Sequence, residues 1–294
     1  MAEWRPVLAS AAGVLLLAGC TSGSGDEPKA RSTPEKSPGA SASPSGSASA
    51  SPVNEPYSLA ENRAPRTRTE AVEFVRELTV RPDYFGTGYR KRDPFESDPA
   101  EWAVLGDDCL WRREALPDTV LASLTRAFEL PAKDGKGPVY VSLTVTVHQN
   151  VLAARRDMAG SLEEPLRCPE QRLNATDRVR GLYSRVDAFA DERSVISEDD
   201  LTETGDWVAD GGKAYPFDWS KFRLGPVTVA ATARHGSGRS EAEDSTITTD
   251  MAKGLSFIAA DIDQQGKAGD AGDTGDAGDA GATAEPTGTK EAEQ

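Results

Sequence analysis

Val139-Tyr140-Val141-Ser142-Leu143-Thr144-Val145-Thr146-Val147-His148 alternates without a break. Val139, Val141, Leu143, Val145 and Val147 are apolar, and Tyr140, Ser142, Thr144, Thr146 and His148 carry polar groups. Successive side chains of a strand point to opposite faces, so this stretch predicts a strand with one buried and one polar face. Asn150 follows at once and can cap a helix carrying Val151, Leu152, Met158 and Leu162 as far as Pro165. The same order returns downstream. Val227 to Ala233 reads as a strand, and Ile247, Met251, Leu255, Ile258 and Ile262 then fall near a 3.6-residue stripe. A less regular strand region runs from Val179 to Phe189.

Upstream, Thr67-x-x-Glu70 has the form of a capping box, and Ala71, Phe74, Val75 and Leu78 continue it at helical spacing up to Pro82. Pro117 suits a first helical turn, and Val120, Leu121, Leu124 and Phe128 then predict a second helix ending before Pro131. This mixed order predicts an α+β fold. We expect one domain with a largely antiparallel sheet, helices packed on one face, and disordered segments on both sides. A sheet with a polar face can line a groove.

Composition divides the chain of 294 residues. Residues 57–263 hold the periodic apolar positions needed for a core. Residues 20–56 are mostly Ser, Pro, Ala and Gly, which cannot bury enough apolar surface to offset their ordering entropy, so they read as a tether. Residues 264–294 repeat Gly at Gly266, Gly269, Gly272, Gly275, Gly278 and Gly281 without proline in those triplets, which predicts an acidic disordered tail rather than a collagen helix. Residues 1–19 form a signal peptide in this reading. The run Val7 to Ala18 is too short to span a bilayer as a helix, and it ends in Leu17-Ala18-Gly19-Cys20. That ending resembles the lipobox of bacterial lipoproteins: an apolar residue, two small ones, then the cysteine that receives the lipid. Cys20 is therefore the expected diacylglyceryl anchor on the extracytoplasmic face of the cell membrane.

Charge and cysteines support export and limit the partners. The net charge is -15, and residues 57–263 contain 27 Lys and Arg against 36 Asp and Glu, which argues against nucleic acid. With Cys20 lipidated, Cys109 and Cys168 remain. An oxidising envelope would join them as a disulfide, and the alternative is two buried thiols.

Catalytic signatures are missing. There is no Gly-x-Ser-x-Gly, phosphate loop, His-Glu-x-x-His or dinucleotide fingerprint. His148 and His235 stand far from metal-ligand partners in sequence, so no metal and no cofactor is expected. The acidic run Ser197 to Asp206 lacks the ligand pattern of a calcium loop and reads as a solvated loop. Arg234 to Ser240 precedes a helix, but Glu241, Glu243 and Asp244 already supply negative charge there. Trp207, Tyr215, Phe217, Trp219 and Phe222 cluster in a short stretch and suit either packing or ligand stacking. The candidate groove is accordingly Tyr140, Ser142, Thr144, Thr146, His148, Trp207, Tyr215 and Trp219.

Two further stretches carry a family resemblance: Glu163 with Pro165-Leu166-Arg167-Cys168-Pro169 after a strand-helix unit, and Leu224-Gly225-Pro226-Val227-Thr228-Val229-Ala230. With the lipobox, tether and paired cysteines, they resemble secreted actinobacterial lipoproteins similar to the extracellular sensor domain of PknH-type serine/threonine kinases. The resemblance covers Thr67 to Asp263. It implies an antiparallel sheet with flanking helices, a cleft for a small ligand, and no catalytic residues. The kinase sensor domain has two disulfides, whereas this chain has cysteines for one beyond Cys20. The expected function is a membrane-anchored binding or sensor-like module, not an enzyme, with a small molecule, lipid or cell-wall fragment as ligand. The alternatives are an envelope hydrolase using His148 or His235, or a structural, partner-docking protein.

Overall fold

The computed structural model describes residues 55–184, 196–209 and 212–268. The signal peptide, Cys20, most of the tether and nearly all of the tail lie outside the described residues. In chain order the elements are α1 (Arg68–Glu77), a 3-10 turn (Pro82–Phe85), β1 (Arg90–Glu96), β2 (Glu101–Leu105), β3 (Trp111–Ala115), β4 (Val120–Leu130) and β5 (Val139–His148). Then come α2 (Val151–Arg167), β6 (Glu170–Arg172), β7 (Arg178–Ser184), β8 (Asp199–Val208), β9 (Ala214–Leu224), β10 (Val227–Arg234) and α3 (Glu241–Ala268). Eight strands form one sheet in the order β1-β4-β5-β10-β9-β8-β7-β6, and β2 and β3 form a separate hairpin. Every neighbouring pair is antiparallel. The α+β class and the antiparallel sheet are as the sequence predicts.

β5 lies inside the sheet between β4 and β10. Its apolar residues Val139 to Val147 pack with Ala71 and Val75 of α1 and with Met251, Leu255, Ile258 and Ile262 of α3. Burying a Val, Leu or Ile side chain contributes about 1.5–3 kcal/mol, so this layer is the main source of stability. The capping box of α1 is formed: Glu70 N–H donates to Thr67 Oγ1 at 3.2 Å, and Thr67 N–H donates to Glu70 Oε2 at 3.2 Å.

Several expectations need correction. Val120 to Phe128 is not a helix but strand β4. It lies between β1 and β5 and is buried on both faces, so its apolar residues lose the alternation that marks a strand. The acidic run after Ser197 is not a solvated loop but β8, and Glu203 within it is fully buried. Glu198 and Asp199 grip the buried Arg223 of β9. α3 continues past Asp263, the expected edge of the domain, to Ala268.

The helices also do not all share one face. α1 and α3 cover the apolar face, while α2 crosses the polar one. α2 runs through Pro165 to Arg167 and buries Ala153, Ala154, Met158 and Ser161, leaving Leu152 and Leu162 exposed. Its register follows an ion pair between Asp157 and Lys221 of β9 rather than its leucines. Among the described residues no helix is long and apolar enough to cross a membrane.

Candidate ligand cavity

On β4, β5 and β10 the polar face of the sheet is a ladder of small side chains. In one cross-strand row stand Thr125, Thr144, Ala230 and Lys221, and in the next Ala127, Ser142, Thr232 and Trp219. Small residues leave room above them, and α2 crosses over that room instead of filling it. The result is a cavity of about 510 Å3, within the range of sites for drug-sized molecules. Its floor includes Ser142, Thr144, Thr232 and Trp219. Its roof is Asp157, Gly160, Ser161 and Glu164 of α2. The β2–β3 hairpin closes one side with Trp102, Val104, Leu105, Trp111 and Arg113. Gln171, Leu173, Val179 and Leu182, in and around β6 and β7, also line it.

The hairpin is held to α2 by the expected disulfide. Cys109, between β2 and β3, is bonded to Cys168 at the end of α2 with their Cα atoms 5.5 Å apart. Arg167 reinforces the contact by donating to the Leu105 carbonyl at 2.9 Å and the Gly106 carbonyl at 3.1 Å. Arg172 N–H donates to the Cys109 carbonyl at 2.8 Å.

One polar network fastens α2 to the sheet. Asp157 Oδ2 lies 2.7 Å from Lys221 Nζ and 3.3 Å from His148 Nε2, and it accepts from Thr228 Oγ1 at 3.1 Å. Burial alone would raise the Asp157 carboxyl, but Lys221 and His148 outweigh it and hold the group well below the usual carboxylate range. Lys221 also donates to Ser161 Oγ at 2.9 Å. This spacing suits a Ser-Lys nucleophile pair, but the remaining contacts oppose that chemistry. A lysine base needs a neutral amine, whereas this one is ion-paired with Asp157. Ser161 Oγ meanwhile donates to the Asp157 carbonyl of its own helix at 3.1 Å. Two lining groups stand outside the network. Burial pushes the Glu164 carboxyl up to about 7, against the pull of Lys221. Neither Glu164 Oε2 nor Gln171 Nε2 has a hydrogen-bond partner among the described residues.

The groove residues expected from sequence divide into three groups. Ser142, Thr144, Thr146 and Trp219 line the cavity. His148 lies buried behind it, with its Nε2 on Thr228 Oγ1 at 3.0 Å. Tyr140, Trp207 and Tyr215 gather elsewhere on the same face, around Arg234. The Arg234 guanidinium sits 5.1 Å from the Tyr140 ring centre and 5.7 Å from that of Trp207. Tyr215 packs on Trp207 at 5.9 Å. His235, the other histidine, is far from solvent, with Nε2 2.9 Å from Asp218 and Nδ1 2.8 Å from Asp244. The sequence does not single out Trp102, Trp111, Asp157, Ser161, Glu164, Gln171 or Lys221. The spacing of Asp157, Ser161 and Glu164 on one helix face was the available signal, since positions 3–4 residues apart are neighbours there.

No protein-family model matches the chain, and no curated protein matches its sequence. Among solved structures, the extracellular domain of PknH from Mycobacterium tuberculosis is similar. It shares 13% identity over 73% of this chain and 99% of that chain, with a TM-score of 0.43.

Proposed function

We propose that this protein is a lipid-anchored, extracytoplasmic binding module that captures a small molecule, lipid or cell-wall fragment in the cavity beneath α2 and acts without catalysing a reaction. The observation that carries the reading is the cavity itself. It is bounded by a sheet, a helix and a disulfide-tied hairpin, and Trp102, Val104, Leu105, Trp111 and Trp219 line it beside Thr, Ser and charged side chains, so it offers a ligand both apolar surface and polar groups. The ion pair of Lys221 with Asp157, and the carboxylates that face both nitrogens of His235, favour binding over hydrolysis. The ending Leu17-Ala18-Gly19-Cys20 supports the anchor.

Gly160 gives the test. It lines the cavity, and a Cβ placed there meets nothing within 4 Å. Gly160→Leu should therefore fold and fill the space. A small-molecule library screened by thermal shift should yield compounds that stabilise the native protein and leave Gly160→Leu unmoved. Compounds that stabilise both alike would place binding elsewhere. For the anchor, Cys20→Ala should lose acyl labelling and leave the membrane fraction. Retained labelling would defeat the lipoprotein reading.

A further inference from the structure

We propose that Arg92 and Arg234, brought together on the Tyr140 ring beside the cavity, form a separate oxyanion site that takes the phosphate or carboxylate group of a small organic acid.

The placement comes from the sheet register. Tyr140 of β5 pairs with Arg234 of β10, and Ser142 pairs with Thr232 in the next row. Alternate residues of a strand share a face, so Tyr140 and Arg234 stand on the same face as Ser142 and Thr232, which line the cavity. Arg92 reaches this row from β1, where the pairing with β4 is irregular between Lys91 and Glu96. Such irregularities re-aim a side chain. Here the Arg92 guanidinium lies 4.9 Å from the centre of the Tyr140 ring, and the Arg234 guanidinium lies 5.1 Å from the same centre. Arg234 is also 5.7 Å from the ring of Trp207, whose indole N–H donates to the His235 carbonyl at 2.7 Å and so fixes that side of the site.

The charge in this row does not cancel. Glu129 Oε1 accepts from Arg90 Nε at 2.8 Å and Arg90 Nη2 at 2.6 Å. Asp177 Oδ2 accepts from Arg234 Nη1 at 2.9 Å, which leaves Arg234 Nε and Nη2 without a bond among the described residues and open to solvent. Arg92 has neither an ion pair nor a hydrogen bond among the described residues. Its Nε is sealed from solvent, but its two terminal nitrogens are not, and those are the atoms an anion meets. Burial and the Arg92 charge together hold the Arg234 guanidinium below its ordinary range, with Asp177 opposing them only in part. Two guanidiniums half removed from water on one ring repel each other, and an anion between them turns that repulsion into two attractions. Arginine suits the task, since its planar fork bonds the oxygens of a phosphate or carboxylate in pairs.

Calorimetric titration of the disulfide-bonded protein with phenyl phosphate, benzoate and benzamide tests the proposal. The acids should bind and the neutral amide should not, and acid affinity should fall as salt is added, because the contacts are ionic. The tighter of the two acids names the oxyanion. Arg92→Gln removes the charge without breaking a hydrogen bond, so it should fold as the native protein does and weaken acid binding about tenfold or more. Arg92→Lys, which keeps the charge and loses the fork, should fall between the two. Gly160→Leu, which fills the cavity, should bind the acids with native affinity. No binding of either acid, benzamide binding as tightly as benzoate, or native acid affinity in Arg92→Gln overturns the site. Loss of acid binding in Gly160→Leu overturns its separation from the cavity.

Discussion

His235→Ala is the substitution with the largest expected effect outside the cavity. The imidazole is fully buried, and both its nitrogens face carboxylates, Asp218 at 2.9 Å and Asp244 at 2.8 Å. Two such contacts require both nitrogens to donate, so the ring is an imidazolium. It joins the end of β10 to β9 and to the first turn of α3. Burial alone would lower its pKa, but the bonds to Asp218 and Asp244 more than offset that and raise it. Removing the ring leaves Asp244 without this partner, while Asp218 keeps a donor in Thr248 Oγ1 at 2.6 Å. Breaking a buried charge pair from one side costs about 3–5 kcal/mol. For a domain of this size that is a fall in Tm of roughly 10 °C. The pH dependence has a definite sign. A raised histidine contributes its full stability below the unfolded value of about 6.5 and loses it as pH rises through the folded value. Urea unfolding of both proteins between pH 6 and 9 should therefore show the largest difference at the acid end. A difference that is constant, or that grows towards alkaline pH, would refute the imidazolium.

Replacing Cys109 and Cys168 by Ser opens a covalent loop between residues 59 positions apart, and the chain-entropy model gives a loss of about 4 kcal/mol; an unchanged melting curve would show that the hairpin needs no tether. Gly160→Ala places a methyl group in open space inside a helix and should stabilise the fold by about 0.5–1 kcal/mol. A lower denaturation midpoint would mean that the roof of the cavity is tighter than its contacts indicate. Gly225→Ala, at φ +56° in the β9–β10 turn, would set a Cβ 1.9 Å from the Leu59 carbonyl oxygen, so circular dichroism melts should show a loss of at least the 1–3 kcal/mol typical of backbone strain.

The parts of the fold legible in the sequence are those with one dry and one wet face. β5 alternates because α1 and α3 cover one side and the cavity lies on the other. α1 was legible through its cap and α3 through its stripe. β4 was not, because a strand buried on both faces has no contrast to read, and Val120, Leu121, Leu124 and Phe128 then fit a helix as well as a strand. β8 was hidden by its charge. A run such as Glu198-Asp199-Asp200 looks solvated until Arg223, distant in sequence, is seen between two of its carboxylates.

The cavity was half legible for a related reason. Its floor belongs to the strand face that the alternation exposed, so Ser142, Thr144, Thr146 and Trp219 were within reach. Its roof and side depend on pairings between distant segments. α2 would lie on its leucines if apolar burial alone decided, and it would then have covered the dry face with its neighbours. Instead Asp157 meets Lys221, Ser161 follows one turn later, and the helix is held over a face of threonines it cannot fill. The hairpin comes under α2 because Cys109 reaches Cys168, and with it come Trp102 and Trp111, which in sequence are only two tryptophans on either side of a cysteine. An ion pair and a disulfide thus do here what apolar packing does elsewhere: they fix a helix and a hairpin at a distance from the sheet. Apolar packing would have closed that distance, so the polar fastening is the reason the space remains.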